Sequence, residues 1–295
     1  MWLVFAAAAA VCFGLRGILY QWTSQKLLDR NLMLLGVFSL GIAVTAIANL
    51  FAGQAWSWGA LMGVTMGIFS FVSNSAMYKG FATAKASIVA VFTGLPPAVV
   101  VIIAYFLWGE TLSGWQIGAF IVILLGILVI RYSNELSLSN LRGVQWAIIA
   151  MLGFAITDLS SKQSQLWDGE VLPTLTMMFT TGTLLFLISW RRQIANHRVI
   201  SSLSSASPDT PMKRWSNSRT YLWGMVVGIT NVSGMILILP AFKLGVTGLV
   251  SAVIATNVLL ILLFSRLFLK ERFTRLQIAG ITFSITGVIL LRLLG

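Results

Sequence analysis

Residues 79–120, KGFATAKASIVAVFTGLPPAVVVIIAYFLWGETLSGWQIGAF, decide how the rest of the chain is read. A basic turn of small residues leads into an apolar run that Pro96-Pro97 interrupts, and a short hairpin at Gly109-Glu110 then opens a second apolar run. Both runs suit a hydrocarbon layer about 30 Å thick, which asks for roughly 20 apolar residues per crossing helix. The pattern returns 161 places later: Glu110 is matched by Glu271, and Gly63/Gly224, Gly67/Gly228, Phe81/Phe242, Gln116/Gln277, Gly126/Gly287 and Arg131/Arg292 coincide at that offset. The start of each half aligns at 141 instead, through Ala9/Ala150, Phe13/Phe154, Phe38/Phe179 and Gly41/Gly182. The difference of 20 residues falls where the chain turns polar, RRQIANHRVISSLSSASPDTPMKRWSNSR at 191–219. A shift of register that coincides with a visible insertion argues for duplication.

The remainder of the chain agrees with a membrane reading. It has 295 residues, 58% of them hydrophobic and 9% charged, and its mean hydropathy is +0.90. That leaves too little polar surface to cover a water-soluble globule. The net charge of +12 sits in clusters between apolar runs, which fits membrane topology and anionic headgroups rather than nucleic acid, for which no aromatic-basic module is present. Cys12 is the single cysteine and His197 the single histidine, so neither a disulfide within the chain nor a metal site built on these residues is expected. No cofactor is implied. The start, MWLVFAAAAAVCFG, lacks the basic region of a cleaved leader and reads as the first span.

Ten runs qualify as spans, near 2–22, 32–52, 57–78, 86–107, 114–131, 143–164, 172–190, 220–241, 246–268 and 275–293. Each must be helical, because a segment in hydrocarbon has to satisfy its own backbone. The expectation is an all-α membrane protein of ten helices: a first five-helix repeat over 1–132, a connection over 133–142, and a second repeat over 143–295 with 191–219 as a mobile loop. Five is odd, so the second repeat enters from the opposite face and the repeats are inverted, an architecture that places a shared cavity near the midplane. Ser113 and Thr274, at equivalent positions, are expected N-caps. The double proline should break its helix and turn carbonyls toward the cavity. Gly14, Gly17, Gly63, Gly67, Gly118 and Gly126 suit close helix packing.

Loops after odd-numbered spans hold 16 Lys and Arg, against three in the termini and other loops (Lys162, Lys243, Arg292). The positive-inside rule then puts the odd loops in the cytoplasm and both termini outside.

Charge inside a span is costly and points to function by default. Arg16 and Asp158 are the two such residues that stand out. Arg16 either meets an anionic solute group or a gate, or it reaches toward the polar end near Trp22. Asp158 either takes a proton or a cationic group, or it pairs with Lys162 one turn on. The polar residues Asn74, Asn231 and Asn257 are candidates for the pathway together with Pro96 and Tyr20, although interhelical hydrogen bonding alone would also account for the asparagines. Lys79, Lys85 and Lys243 lie at span ends, where they either draw anions to a cavity mouth or anchor the interface. Glu110 and Glu271 read as structural partners of nearby helix N-termini. The chain carries no HExxH, phosphate-binding glycine loop or CxxC, and an enzyme is not expected.

Phe13-Gly14, YKGFATAKASIVAVFTGLPPAVV (78–100), GETLSGWQIGAFIVILLGILVI (109–130) and its second copy KERFTRLQIAGITFSITGVILL (270–291) together resemble the EamA type of the drug/metabolite transporter superfamily. The resemblance implies two inverted five-helix repeats around a cavity lined by helices 1, 3, 4, 6, 8 and 9, and cytoplasmic termini, against the charge count preferred here. It also implies a proline in both fourth-helix equivalents, present as Pro96 but replaced by Asn257, which should make the two gates chemically unequal. The first-helix glutamate of the superfamily's four-helix cation antiporters is absent and Arg16 is present instead, which favours a zwitterionic or anionic metabolite. The expected function is alternating-access export of a small polar metabolite, an amino acid or organic anion, across a bacterial inner membrane by a monomer or homodimer. The alternative is a receptor or assembly component acting through the basic 191–219 stretch.

Overall fold

Ten stretches of helix in the computed structural model are long and apolar enough to cross a bilayer. The structure describes residues 1–24, 26, 28–83, 86–131, 143–203, 215–268, 270 and 274–294. The helices are α1 (Trp2–Ser24), α2 (Arg30–Ala52), α3 (Met62–Thr83), α4 (Ala86–Phe92), α5 (Pro96–Trp108), α6 (Gly114–Arg131), α7 (Val144–Leu166), α8 (Val171–Leu203), α9 (Asn217–Leu244), α10 (Thr247–Ala255), α11 (Asn257–Phe268) and α12 (Arg275–Leu294), with a short 3-10 turn at Trp58–Leu61 before α3. Helices α4 and α5 together make the fourth span, and α10 and α11 make the ninth. Among the described residues there is no strand. This is a multi-pass membrane protein.

A two-fold relation between the halves organises the packing, and glycines show it most directly. A Cβ on Gly41 of α2 would strike the ring of Phe179 in α8, and a Cβ on Gly182 of α8 would strike the ring of Phe38 in α2. These are one contact seen from its two sides, since both residue pairs are related by the 141 offset. Helices α6 and α12 repeat the arrangement at 161: a Cβ on Gly126 would meet Ser284 and Gly280, and one on Gly287 would meet Ile123 and Ala119. The contact between Gly63 and the Thr174 backbone becomes, under both offsets together, the contact between Gly224 and the Met33 backbone. At these positions a side chain would push two backbones apart, so small residues are what allow the helices to approach. Gly118 is different, with open space where its Cβ would be, and the expectation that it serves packing is corrected.

The same symmetry governs which helices meet. Helix α1 packs on α9 as α7 packs on α3, and α2 packs on α9 as α8 packs on α3, while α2 with α8 and α6 with α12 face each other across the axis; in the broken spans α5 of the fourth meets α10 of the ninth. The halves interlock rather than lie side by side, forming ten transmembrane helices in two inverted five-helix repeats.

Local chemistry sets the helix ends. Ser113 Oγ accepts from the Gln116 backbone N–H while Gln116 Oε1 accepts from the Ser113 N–H, at 3.4 and 3.0 Å. Thr274 and Gln277 make the same reciprocal pair at 3.2 and 2.9 Å. Each expected cap is therefore a complete capping box at the start of α6 and of α12. Asp29 caps α2 by accepting from the Leu32 N–H.

The loop expected over 191–219 is corrected in its first part, where α8 runs unbroken to Leu203. No glycine or proline interrupts the chain there before Pro208, and the emerging helix is fastened at its base: Asn31 Nδ2 donates to Gln193 Oε1 at 2.7 Å and Gln193 Nε2 donates to Asp29 Oδ2 at 3.2 Å. Residues 204–214, the whole connection at 133–142, Lys85 and Glu271 lie outside the described residues.

The fourth span breaks where the prolines are. Pro96 and Pro97 open α5 at the first positions of a helix, where a missing N–H costs nothing, and the chain crosses the gap with Leu95 N–H to Phe92 O and Ala98 N–H to Leu95 O, at 3.1 and 3.0 Å. The ninth span makes the same break without proline. Thr256 N–H donates to Val253 O and Leu259 N–H to Thr256 O, at 3.1 and 2.8 Å, and these are the 161-offset equivalents of the two bonds in the fourth span. The Thr256 hydroxyl adds a bond to Val253 O at 2.6 Å. The loss of proline at 257 thus leaves the backbone break intact and changes only the side chain beside it.

Candidate functional site

Where the two breaks face each other, the bundle forms a cavity of about 160 Å³. An engineered apolar cavity of about 150 Å³ holds a benzene molecule, so the space suits a small organic solute. Helix α1 contributes Phe13 and Arg16, α3 contributes Ser70 and Asn74, and α7 contributes Phe154, Thr157, Asp158 and Ser161. Thr93, Pro96 and Pro97 come from the break in the fourth span, and Ser251, Ile254, Ala255 and Asn257 from that in the ninth. Asn231, Met235 and Ile238 of α9 and Met178 of α8 complete the wall.

The charged groups on this wall are held by polar neighbours. Arg16 donates from Nη1 to Asn231 Oδ1 at 2.5 Å, and its guanidinium lies 4.5 Å from the centre of the Phe13 ring and 5.9 Å from that of Tyr20. A planar cation over aromatic faces is stabilised by the ring quadrupole and fixed in orientation by the hydrogen bond. Asp158 Oδ2 accepts from Ser251 Oγ at 2.5 Å. Asn74 donates to the Ser70 carbonyl at 2.7 Å. One wall is thereby cationic, another carries a carboxylate, and the phenylalanine and methionine side chains between them are apolar. Among the described residues no group of metal-ligating side chains occurs.

Repeat-equivalent positions are used differently at the two breaks. In the fourth span the carbonyl of Ala90 accepts from Arg131 Nη1 at 2.8 Å, and the same nitrogen donates to Thr93 Oγ1 at 2.9 Å. In the ninth span the equivalent of Ala90 is Ser251, whose side chain meets Asp158. An arginine grips one half-helix by its backbone, and an aspartate grips the other by a hydroxyl.

The sequence profile of the EamA-like transporter family matches residues 1–132 and 141–293. The chain belongs to the EamA-like transporter family. Among curated proteins none matches. A solved structure described only as "Crystal structure of protein" superposes on this EamA-like chain with a TM-score of 0.74 at 15% identity, covering 100% of this chain and 99% of the other. At that identity the likeness carries the fold alone.

Arg16, Asn74, Pro96, Asp158, Asn231 and Asn257, all singled out from sequence, meet on this cavity of the EamA-like protein. Tyr20 does not line it; it packs against the apolar core within reach of Arg16. Lys79 and Lys243 are exposed and away from it, and Lys79 lies 4.5 Å over the Trp146 ring. Two pairs of alternatives separate here. Arg16 turns into the bundle toward Asn231 rather than out toward Trp22, because Asn231 gives it a polar acceptor at depth. Lys162 does not pair with Asp158; its ammonium turns away to Glu110 at 3.1 Å. Sequence reasoning passed over Ser251, whose signal was a hydroxyl in the middle of the apolar run TGLVSAVIA. Its aspartate partner is 93 residues away, a distance at which no local pattern shows.

Proposed function

We propose that the protein is a secondary active transporter that carries a small polar metabolite, an amino acid or an organic anion, through the bilayer by alternating access. The observation that carries this reading is the cavity at the junction of the two repeats with Arg16 and Asp158 on its wall. Charge deep within a membrane protein is costly unless it serves a pathway, and the two residues offer opposite signs to a solute that has both. Arg16 would take a carboxylate or other anionic group. Asp158 would take an ammonium group or a proton, giving up its bond to Ser251. Asn257, Asn74 and Asn231 would complete the polar lining beside Pro96, and the exposed Lys79 and Lys243, although off the cavity wall, would raise the local concentration of anions at the membrane surface. Export across a bacterial inner membrane is the direction and place proposed, on the family resemblance alone.

Thermal-shift screening of purified protein against amino acids, nucleotides, organic anions and cations identifies the solute, since a ligand that binds only the folded form raises apparent stability. Counterflow of that solute in proteoliposomes then measures transport. Arg16→Ala and Asp158→Asn are expected to abolish counterflow while the thermal midpoint without ligand stays within a few degrees of the parent. Full counterflow in both variants would overturn the assignment.

A further inference from the structure

At the membrane face that carries the Glu110 hairpin, four elements are tied by one buried cluster. Lys162, near the end of α7, donates to the carbonyls of Phe242 and Gly245 at 3.0 and 3.1 Å. It also forms an ion pair with Glu110 at 3.1 Å, and the two side chains are only 11% and 17% exposed. The Glu110 carboxylate in turn accepts from the backbone N–H and the hydroxyl of Thr247, at 2.8 and 2.9 Å. One ammonium thus closes the carbonyl end of α9 and one carboxylate closes the amide end of α10, with the ion pair joining them. Beside the pair, Trp108 Nε1 donates to Gln163 Oε1 at 3.0 Å.

The topology gives this cluster a direction. The ends of α5, α7 and α9 and the start of α10 all reach the same face, so the cluster bridges the first repeat to the second there. It lies one helical turn along α7 from Asp158, and it holds the beginning of α10, the half-helix whose Ser251 holds Asp158. At the opposite face the repeat-equivalent positions are Glu271 for Glu110, Gln21 for Lys162 and Ala86 for Thr247. That set has the carboxylate but neither the ammonium nor the hydroxyl.

We propose that Lys162 and Glu110 form the latch that keeps the hairpin face shut, and that α10 is the element it releases. The inference rests on the transport reading. The latch must break each time the cavity opens to that face, and the sequence places no lysine at the position equivalent to Lys162 in the other repeat, so the resting protein favours the state shut at the hairpin face. A solute group that draws Asp158 away from Ser251 loosens α10 at its inner end and lowers the cost of breaking the latch.

The test is accessibility of the cavity in sealed vesicles of either orientation. In a Cys12→Ser background, Ser70→Cys places one thiol on the cavity wall, and a membrane-impermeant sulfonated maleimide is applied from one side at a time. Glu110→Gln keeps an acceptor for Thr247 but removes the charge, and Lys162→Gln removes the ammonium. Both are expected to raise the labelling rate from the hairpin face at least fivefold and to lower it from the other face. Glu170→Gln, an exposed acid at the same face, should leave both rates at the parent value. Melting in detergent identifies any variant that fails to fold, and Glu110→Gln is the conservative member that carries the test in that case. Labelling of the parent from the far face with no change in the latch variants sinks the latch alone. A thiol reached from neither face in any variant sinks the latch and the transport reading together.

Discussion

At the scale of single residues, the central fact is that Arg16 is positioned by a shape as well as by a charge. Its guanidinium reaches Asn231 while lying over Phe13, and a lysine ammonium on a flexible stem cannot do both. Arg16→Lys is therefore expected to keep the fold but weaken binding of the solute about tenfold, which corresponds to roughly 1.4 kcal/mol; a thermal-shift titration with the solute found by screening reads it directly. The charge of Arg16 and Asp158 was legible in the sequence because such residues are rare within spans. Their partners were not. Lys162 stands four residues from Asp158 on one helix, a spacing that invites pairing, yet helix α7 sets one on the cavity and the other against Glu110. Only tertiary packing chooses between a neighbour on the same helix and a carboxylate 52 residues earlier in the chain.

At the scale of elements, the broken spans show how one backbone shape is reached by two chemistries. Pro96 makes its break by lacking an N–H, and Thr256 maintains the matching break through backbone and hydroxyl bonds to Val253. Asn257 stands at the first position of α11, where proline is well accommodated. Asn257→Pro is expected to fold with a thermal midpoint near that of the parent and to alter solute selectivity, because the amide leaves the cavity while the backbone stays. A large fall in the midpoint would show that the Asn257 N–H is needed. Glycine positions make a second prediction. Gly126→Val and Gly287→Val each force a side chain into a facing helix, an overpacking that costs about 1–3 kcal/mol, whereas Gly118→Val points into open space and should be neutral in the same melting experiment. The sequence shows that all three are glycines in apolar helices. Which face each presents depends on the partner helix, and α6 alone does not reveal it. The polar stretch after residue 190 misled for a related reason: its composition suits solvent, but an exposed helix suits solvent equally well, and the bonds from Asp29 and Asn31 to Gln193 hold it in that form.

At the scale of the whole molecule, the duplication was legible because two offsets, 141 and 161, ran through independent sets of residues. Those offsets reappear as reciprocal glycine contacts across the axis. Orientation is a separate question, for which the positive-inside rule applied to the Lys and Arg distribution predicts cytoplasmic odd-numbered loops. Ala55, exposed between the second and third spans, belongs to an even-numbered loop. In the Cys12→Ser background, Ala55→Cys is expected to react with an impermeant maleimide applied to intact cells, and protection until the cells are lysed would reverse the orientation.

The interlocking of the halves has a consequence for how the protein is made. Helices α1, α2 and α3 find most of their partners among α7, α8 and α9, so a nascent chain that has delivered its first five spans has little to close them upon. The grooves at Gly36, Gly41, Gly63 and Gly67 must then be filled by lipid, or guarded by the insertion machinery, until the later spans arrive. A message truncated after residue 131 should yield a product that is inserted and then degraded, and supplying residues 143–295 as a separate polypeptide should rescue it.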